Sequence, residues 1–288
     1  MPAPKTSLLP ASRKIRALIL GNGRKTAVPN LVKEAETLLL EKGAQVTIDL
    51  SATYNPISTK PDLVVVIGGD GSILAASHRL GNRRVPILGV NVGKVGFLAA
   101  VPPHRLSHVI EELFAGKYRL ENRSMMAFTI RRADQEVFSS HFLNELVVQR
   151  LPEETMMSIE LVDERRQVCN YVGDGLIVST STGSTAYNLS AGGPILAPSL
   201  DALVLQPLAP YTLAMRPLVV RNDRHFILRV ASPGTLNCDG HLQGKLQEND
   251  KIKLSPSKRS LKLIVDSENR FYERLRSKLH WGTEAGPG

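Results

Sequence analysis

"VVVIGGDGSILAAS" (residues 64–77) opens as a run of β-branched residues, stops at two glycines, an aspartate, a third glycine and a serine, and passes at once into a helical pattern. A near-continuous apolar run of this length suits a strand buried on both faces, as in a parallel sheet. The predicted helix covers "SILAASHRL" (72–80). The loop between them then lies at the carboxyl end of the sheet, where open α/β folds bind ligands. Its glycines let main-chain N–H groups approach a phosphate without a Cβ in the way, and the next helix turns its positive end to the same place. The lone carboxylate, Asp70, is there to accept a proton, to hold a metal or to cap the helix. The loop fits neither the G-x-G-x-x-G dinucleotide fingerprint nor the G-x-x-x-x-G-K-[ST] phosphate loop.

Outward from this stretch, strand and helix patterns alternate over the first 118 residues. "IRALIL" (15–20), "QVTIDL" (45–50), "DLVVVIG" (62–68) and "VPILGVN" (85–91) read as strands, and "VPNLVKEAETLLLEKG" (28–43) and "HRLSHVIEELFAG" (104–116) as helices. The reading is a Rossmann-like parallel α/β domain over residues 1–118. Past residue 118 the strands become short and closely spaced, from "AFTIRR" through "VFSSHFLNELVVQR" and "LIVSTS" to "DKIKLS" and "SLKLIVD". That is the pattern of an antiparallel β-sandwich-like domain over residues 119–265. "SENRFYERLRSKLHWG" follows, with Ser267 as an N-cap, an apolar stripe at Phe271, Leu275 and Leu279, and Gly282 as a stop. This helix has no place in an all-β unit, so residues 266–288 are expected to return to the first domain. The dozen N-terminal residues and "TEAGPG" read as loose ends.

Composition narrows the partners. The chain has 288 residues, 42% hydrophobic and 22% charged, ample for a packed core. Its net charge of +9 suits anionic ligands, but the basic residues are dispersed and aromatics make up only 5%, so nucleic acid is not expected. Two distant cysteines, Cys169 and Cys238, indicate a reducing compartment, and the scattered histidines offer no protein metal site. No apolar run approaches the ~20 residues of a membrane span, and the start lacks a secretory pattern. The expectation is a cytoplasmic protein without a membrane partner.

Three further stretches carry candidate chemistry. In "NYVGDGLIVSTSTGSTAYNLSAGGPIL" (170–196) a strand opens into a hydroxyl-rich turn and a short helix, a candidate anion or ribose site or, more plainly, a capped polar turn. Asn144–Glu145 falls within one predicted strand, so alternation puts the two on opposite faces, and such a pair is ordinarily a solvated edge. In "NCDGHLQ" (237–243), Asp239–Gly240 reads as a hairpin turn.

Together these stretches resemble the NAD kinase family over most of the chain. "GGDGS" resembles that family's glycine-rich loop, "GVNVGKVGFL" (89–98) its next segment and "LNEL" (143–146) its Asn-Glu motif. "GDGLIVSTSTGSTAYNLSAGGPI" (173–195) is similar to its long signature, with Ser181 where proline is usual, and "CDGH" and "RSKLHWG" follow in order. The short loop is shared with 6-phosphofructokinases and with diacylglycerol and sphingosine kinases; the long signature is the specific part. The resemblance implies phosphoryl transfer from ATP or polyphosphate to the adenosine ribose 2′-hydroxyl of NAD, giving NADP, with magnesium carried by the donor. By the same resemblance Gly68, Gly69, Gly71 and Ser72 hold the donor phosphates and Asp70 is the general base. Asp70, Gly71, Asn144, Glu145, Asp174, the run Thr185, Ala186, Tyr187, Asn188, Leu189 and Ser190, and also Phe97 and His241, contact NAD. Asp174 lies near the nicotinamide half. The NAD site is then expected where the two domains meet, and the chain is expected to form a homodimer or homotetramer.

Departures from the family pattern are Tyr211 where histidine is frequent, His241 where glutamine often follows the "CDG", and Val172 where the family varies between arginine and glycine. The alternatives are a lipid kinase of the diacylglycerol type and a non-catalytic NAD(P)-binding sensor.

Overall fold

The computed structural model describes residues 9, 13–53, 55–93, 96–164, 166–265 and 271–279. Ser267, Gly282, "TEAGPG" and the first dozen residues apart from Leu9 lie outside them; Leu9, within the predicted loose end, is buried in the core of the first unit. The described chain forms two compact units, one holding the residues up to Asn122 and from Leu261 on, the other Arg123–Ser260.

The first unit is built from β1 (Arg16–Gly21), α1 (Val28–Glu41), β2 (Gln45–Asp49), β3 (Leu63–Gly68), α2 (Asp70–Leu80), β4 (Pro86–Asn91) and α3 (Leu106–Phe114). Its strands pair in parallel in the order β2-β1-β3-β4, with Ile19 opposite Val65 and Val65 opposite Leu88. All six residues of β3 and of β4 are buried, as a sheet covered on both faces requires. Ala17, Ile19, Leu63 and Val65 share one core with Val32, Ala35 and Leu39 of α1 and with Val109, Ile110 and Leu113 of α3. The alternate residues Val64 and Val66 are equally buried, and α2 packs on β3.

Helix α2 starts two residues earlier than the sequence pattern predicts. Gly69 is its N-cap in an extended conformation, and Asp70 and Gly71 are already helical. The Ser72 and Ile73 N–H groups both reach the Gly69 carbonyl, at 2.9 and 3.4 Å. An acidic residue in a first turn suits the helix dipole, which the glycine-rich appearance of the stretch conceals.

The second unit contains β5 (Arg119–Arg132, beginning in the first), β6 (Gln135–Phe142), β7 (Glu145–Arg150), β8 (Met157–Asp163), β9 (Arg166–Gly173), β10 (Gly175–Thr180), β11 (Ala202–Leu208), β12 (Leu218–Arg221), β13 (Phe226–Val230), β14 (Gly234–Cys238), β15 (His241–Leu246) and β16 (Lys251–Val265). One antiparallel sheet runs β12-β11-β10-β7-β14-β15; the opposing strands include β16-β13-β8-β9 and the β5–β6 pair. A single core joins the two layers through Phe128, Phe142, Leu146, Val148, Ile159, Leu205, Phe226 and Leu228. This is the expected sandwich-like arrangement.

Two departures from the predicted strands matter. The stretch 137–150 is not one strand: it breaks at Leu143–Asn144 into β6 and β7. The two predicted strands "DKIKLS" and "SLKLIVD" are one, β16. Its first residues pair antiparallel with β13, whereas Lys262, Leu263 and Ile264 pair in parallel with β4 of the first unit. The last helix, α5 (Phe271–Leu279), belongs to the first unit as expected.

Candidate active site

In the first unit the Asp70 carboxylate is tied to the segment after β4. Oδ2 accepts the Phe97 N–H at 2.9 Å, and Oδ1 accepts the Leu98 and Ala99 N–H groups at 3.0 and 2.9 Å. A carboxylate offers about four lone-pair positions. Three are filled here, and the open one is on Oδ2. Gly96 passes so close that a Cβ there would collide with Oδ1, which explains a glycine before Phe97 in "GKVGFL". Phe97 is half-buried, with the Lys278 ammonium of α5 4.9 Å from its ring centroid. From the same helix, Arg274 lies 3.9 Å from Glu121 and within Coulombic reach of Asp70, and burial lowers its guanidinium pKa.

Gly68 closes the strand against Ser72 with no room for a Cβ. Gly71 and Ser72 line a cavity of about 220 Å³, together with Asn22, Lys25 and Thr53 from the carboxyl ends of β1 and β2. Lys25 has no ion-pair partner among the described residues, and its neighbour in the cavity wall, Arg79, is committed to Asp49 at 2.5 Å. The bond from Arg79, after that from the Ser51 hydroxyl, holds the Asp49 carboxyl down at about 2. Sequence reading missed Asn22 and Lys25. The available signal was their position in "GNGRK", just after β1, at the same sheet edge as the glycine-rich turn.

In the second unit three separate motifs converge. Strand β7 lies between β10 and β14, with Glu145 opposite Ser179 and Leu146 opposite Cys238. Asn144–Glu145 therefore lies where β10 runs out into the hydroxyl-rich turn and where β14 runs out into Asp239. Both side chains are buried, 7% and 6% exposed. The predicted solvated edge with its two opposite faces is overturned, because the strand breaks here and its backbone turns to other partners. The Asn144 carbonyl accepts the Thr180 N–H at 2.9 Å, the Thr180 hydroxyl donates to the Leu143 carbonyl at 2.5 Å, and a Cβ on Gly183 would strike the Asn144 carbonyl.

The Oε2 atom of Glu145 is buried without a hydrogen-bond partner. Burial, and next the charge of Asp239, push this carboxyl up to about 8; the facing Tyr187 N–H offsets part of the rise. A buried, unpartnered carboxyl of this kind is suited to meet a ligand hydroxyl.

The "STGSTAY" stretch forms a 3₁₀ turn (Gly183–Thr185) and a four-residue helix (Tyr187–Ser190). Most of its hydroxyls serve the fold and not an outside anion. The Ser184 hydroxyl donates to the Ser181 carbonyl and accepts the Leu196 N–H, and Ser181 donates to the Leu200 carbonyl at 2.6 Å. Asn188 is fully buried and donates to the Ser184 and Pro194 carbonyls, so its amide braces the turn. Thr185, Ala186 and Leu189 are half-buried, and Tyr187 and Ser190 are exposed. Asp174 is held by the Nε of Arg150 at 2.6 Å, and Arg150 is anchored in turn by the Glu154 carbonyl. Asp239–Gly240 is the expected two-residue hairpin, both residues at positive φ, with His241 exposed at its far side. Tyr211 is 77% exposed.

Residues 17–118 match the family model for the ATP-NAD kinase N-terminal domain, and residues 143–265 that for the ATP-NAD kinase C-terminal domain. The NAD kinase of Teredinibacter turnerae is 39% identical over 241 residues, which cover 80% of this chain and 82% of that one. The NAD kinase of Azotobacter vinelandii is 35% identical over 287 residues, 94% of this chain and 97% of that one. Among solved structures, an NAD kinase from Archaeoglobus fulgidus in complex with ATP matches with a TM-score of 0.75 at 25% identity, over 91% of this chain and 99% of that one. Yeast NADH kinase complexed with NADH matches with a TM-score of 0.85 at 20% identity, over 95% of this chain and 89% of that one, a likeness that bears on the fold. Neither the lipid-kinase reading nor the sensor reading draws support from these matches. With both halves matched in order and curated relatives 35–39% identical over more than four-fifths of their length, the chain belongs to the NAD kinase family.

Proposed function

We propose that this protein transfers the terminal phosphoryl group of ATP to the 2′-hydroxyl of the adenosine ribose of NAD, giving NADP and ADP. The observation that carries the reading is the buried Asn144–Glu145 pair, fixed by three motifs of one unit and presenting an unpartnered carboxyl oxygen. Asn144, Glu145 and the accessible side of the 185–190 turn hold the adenosine end of NAD, and Asp174 and His241 contribute further along the dinucleotide.

Magnesium arrives as part of the donor substrate. The Asp70 and Gly71 N–H groups, which precede the first intrahelical bonds of α2, receive the donor phosphates together with Lys25, which lines the cavity beside Gly71 and Ser72. Asp70 uses its open Oδ2 position to accept the 2′-hydroxyl proton. The freed oxygen forms the new bond to phosphorus, the bond to the bridging oxygen breaks, and ADP leaves with that electron pair. The three N–H bonds fix the direction in which this carboxylate points. Most of the acceleration then comes from positioning and charge, as is general for phosphoryl transfer.

The test is incubation with Mg-ATP and NAD, read by an NADP-specific dehydrogenase. NADP is the expected product, and its absence with active-site occupancy shown by calorimetry ends the proposal. A parallel arm with polyphosphate decides whether the donor's nucleoside is needed. Two free cysteines suit the reducing cytoplasm, and among the described residues no helix is long and apolar enough to cross a membrane. Self-association as a dimer or tetramer is supported by exposed Val219 on edge strand β12 and by exposed Tyr211 and Leu213 in the segment that precedes it. Light scattering at 31.5 kDa, the mass of one chain, would count against it.

A further inference from the structure

We infer that Asp239 is a positioning residue for dinucleotide binding: its carboxylate holds the Leu143–Glu145 backbone in the conformation that presents Asn144 and Glu145 to NAD. By sequence it is a turn residue and nothing more. In the fold its side chain points back from the hairpin and is 3% exposed. Oδ2 accepts the Leu143 N–H at 2.9 Å, and Oδ1 accepts the Asn144 N–H at 2.7 Å and the Glu145 N–H at 3.2 Å. Its own N–H donates to the Glu145 carbonyl at 3.0 Å.

Three consecutive N–H groups can converge on one carboxylate only where the chain leaves the extended conformation, since in a strand they point alternately to opposite sides. The convergence therefore accounts for the break between β6 and β7, and the break is what buries both side chains of the pair. The left-handed backbone of Asp239, at φ 49, aims the carboxylate inward. Leucine 143 and Asn144 also receive the Thr180 bonds from the other side, so the segment is clamped between two strand ends.

Given the NAD kinase activity proposed above, the segment that the clamp fixes carries Asn144 and Glu145, the residues assigned to NAD, so the KM for NAD is the constant it should move. Asp239→Asn keeps the shape but sets an amide NH₂ against one of the three N–H donors. The expected result is a KM for NAD raised about tenfold or more, with the KM for ATP within about threefold of wild type. A role confined to stability would lower the active fraction, and so the apparent kcat, while leaving both KM values unchanged. Asp239→Ser, smaller and with one acceptor, gives the same comparison should the Asn variant not fold. A KM for NAD within about twofold of wild type in whichever variant folds overturns the inference, as does failure of both to fold. If the wild-type protein makes no NADP, the reading of the activity fails instead, and that outcome is visible before any variant is made.

Discussion

The Asp70 carboxylate accepts the Phe97 backbone N–H at 2.9 Å, so the group proposed to take the proton from NAD also fastens the segment that follows β4. Sequence alone offered proton acceptance, metal binding and helix capping as competing uses of this residue. The geometry adds another, a clamp between α2 and residues 97–99, compatible with proton acceptance because one lone-pair position on Oδ2 stays open.

Asp70→Asn should therefore lose activity and stability together. An amide cannot accept at both positions, so one or more of the three N–H groups loses its partner, at about 1–3 kcal/mol. Loss of the base should lower kcat by about 10²–10⁴. Both are read on one preparation, by thermal melting and by NADP formation. A variant that melts early yet phosphorylates NAD at close to the wild-type rate would rule out the base.

Gly96→Ala separates the clamp from the base. The added methyl group would collide with Asp70 Oδ1 while leaving the carboxylate's chemistry intact. Overpacking of this kind costs about 1–3 kcal/mol, and the shift of the carboxylate should lower kcat by about tenfold or more. Unchanged kcat together with an unchanged melting temperature would show that the close approach does not exist in solution.

For Glu145 the pH dependence has a definite sign. Its carboxyl is raised from 4.5 to about 8 in the folded protein, so between those values the folded state holds a proton that the unfolded state has released. The associated stability is fully present below about pH 4.5 and is lost as pH rises through about 8. Melting temperatures from pH 5 to 9 should fall more steeply for wild type than for Glu145→Gln, which cannot ionise. Parallel curves for the two proteins would mean that Glu145 does not titrate in this range.

Gly183→Ala tests the other side of the same segment. A Cβ at this position would strike the Asn144 carbonyl, so the Thr180 bond to it should lengthen or break. The expected cost is about 1–3 kcal/mol in stability, with a KM for NAD raised by at least several-fold. Calorimetric titration with NAD on the folded variant checks this, and wild-type affinity would contradict it.

Much of the fold was legible because its strongest signals are local. The all-apolar strand β3, the largely apolar β4 and the amphipathic α1 are dictated by residues within each element. The start of α2 was misplaced because the glycines on either side of Asp70 have low helix propensity and conceal an acidic first turn that suits the helix dipole. The break at Leu143–Asn144 could not be read at all, since its cause, Asp239, lies far along the chain. The stretches "DKIKLS" and "SLKLIVD", read as two strands, are one because β16 changes partners along its length, pairing β13 at 251–254 and β4 at 262–264 with β5 also against it, and Pro256 lies between the first two of these ladders. The hydroxyls of "STSTGST" looked like ligands, but Ser184 and Thr185 bond the backbone three residues back, as short polar side chains tend to, and Ser181 bonds the distant Leu200 carbonyl.

The path of β16 has a consequence for how the protein is made. Pro86 of β4 pairs with Lys262, a partner that leaves the ribosome only after the whole second unit has been synthesised. Until then the Pro86–Leu88 part of one edge of β4 is bare, while Gly89 and Asn91 already bond Val101: a short stretch of buried, apolar strand lacks its neighbour, the kind of edge that recruits other chains. Such long-range pairing is slow, because the closure entropy of the intervening chain is lost before any contact offsets it. Nascent chains ending at residue 250 should be aggregation-prone and those ending at residue 279 should not, a difference that pelleting assays on stalled translation products would read. Birth of this protein is thus least protected in the interval between synthesis of its fourth strand and its sixteenth.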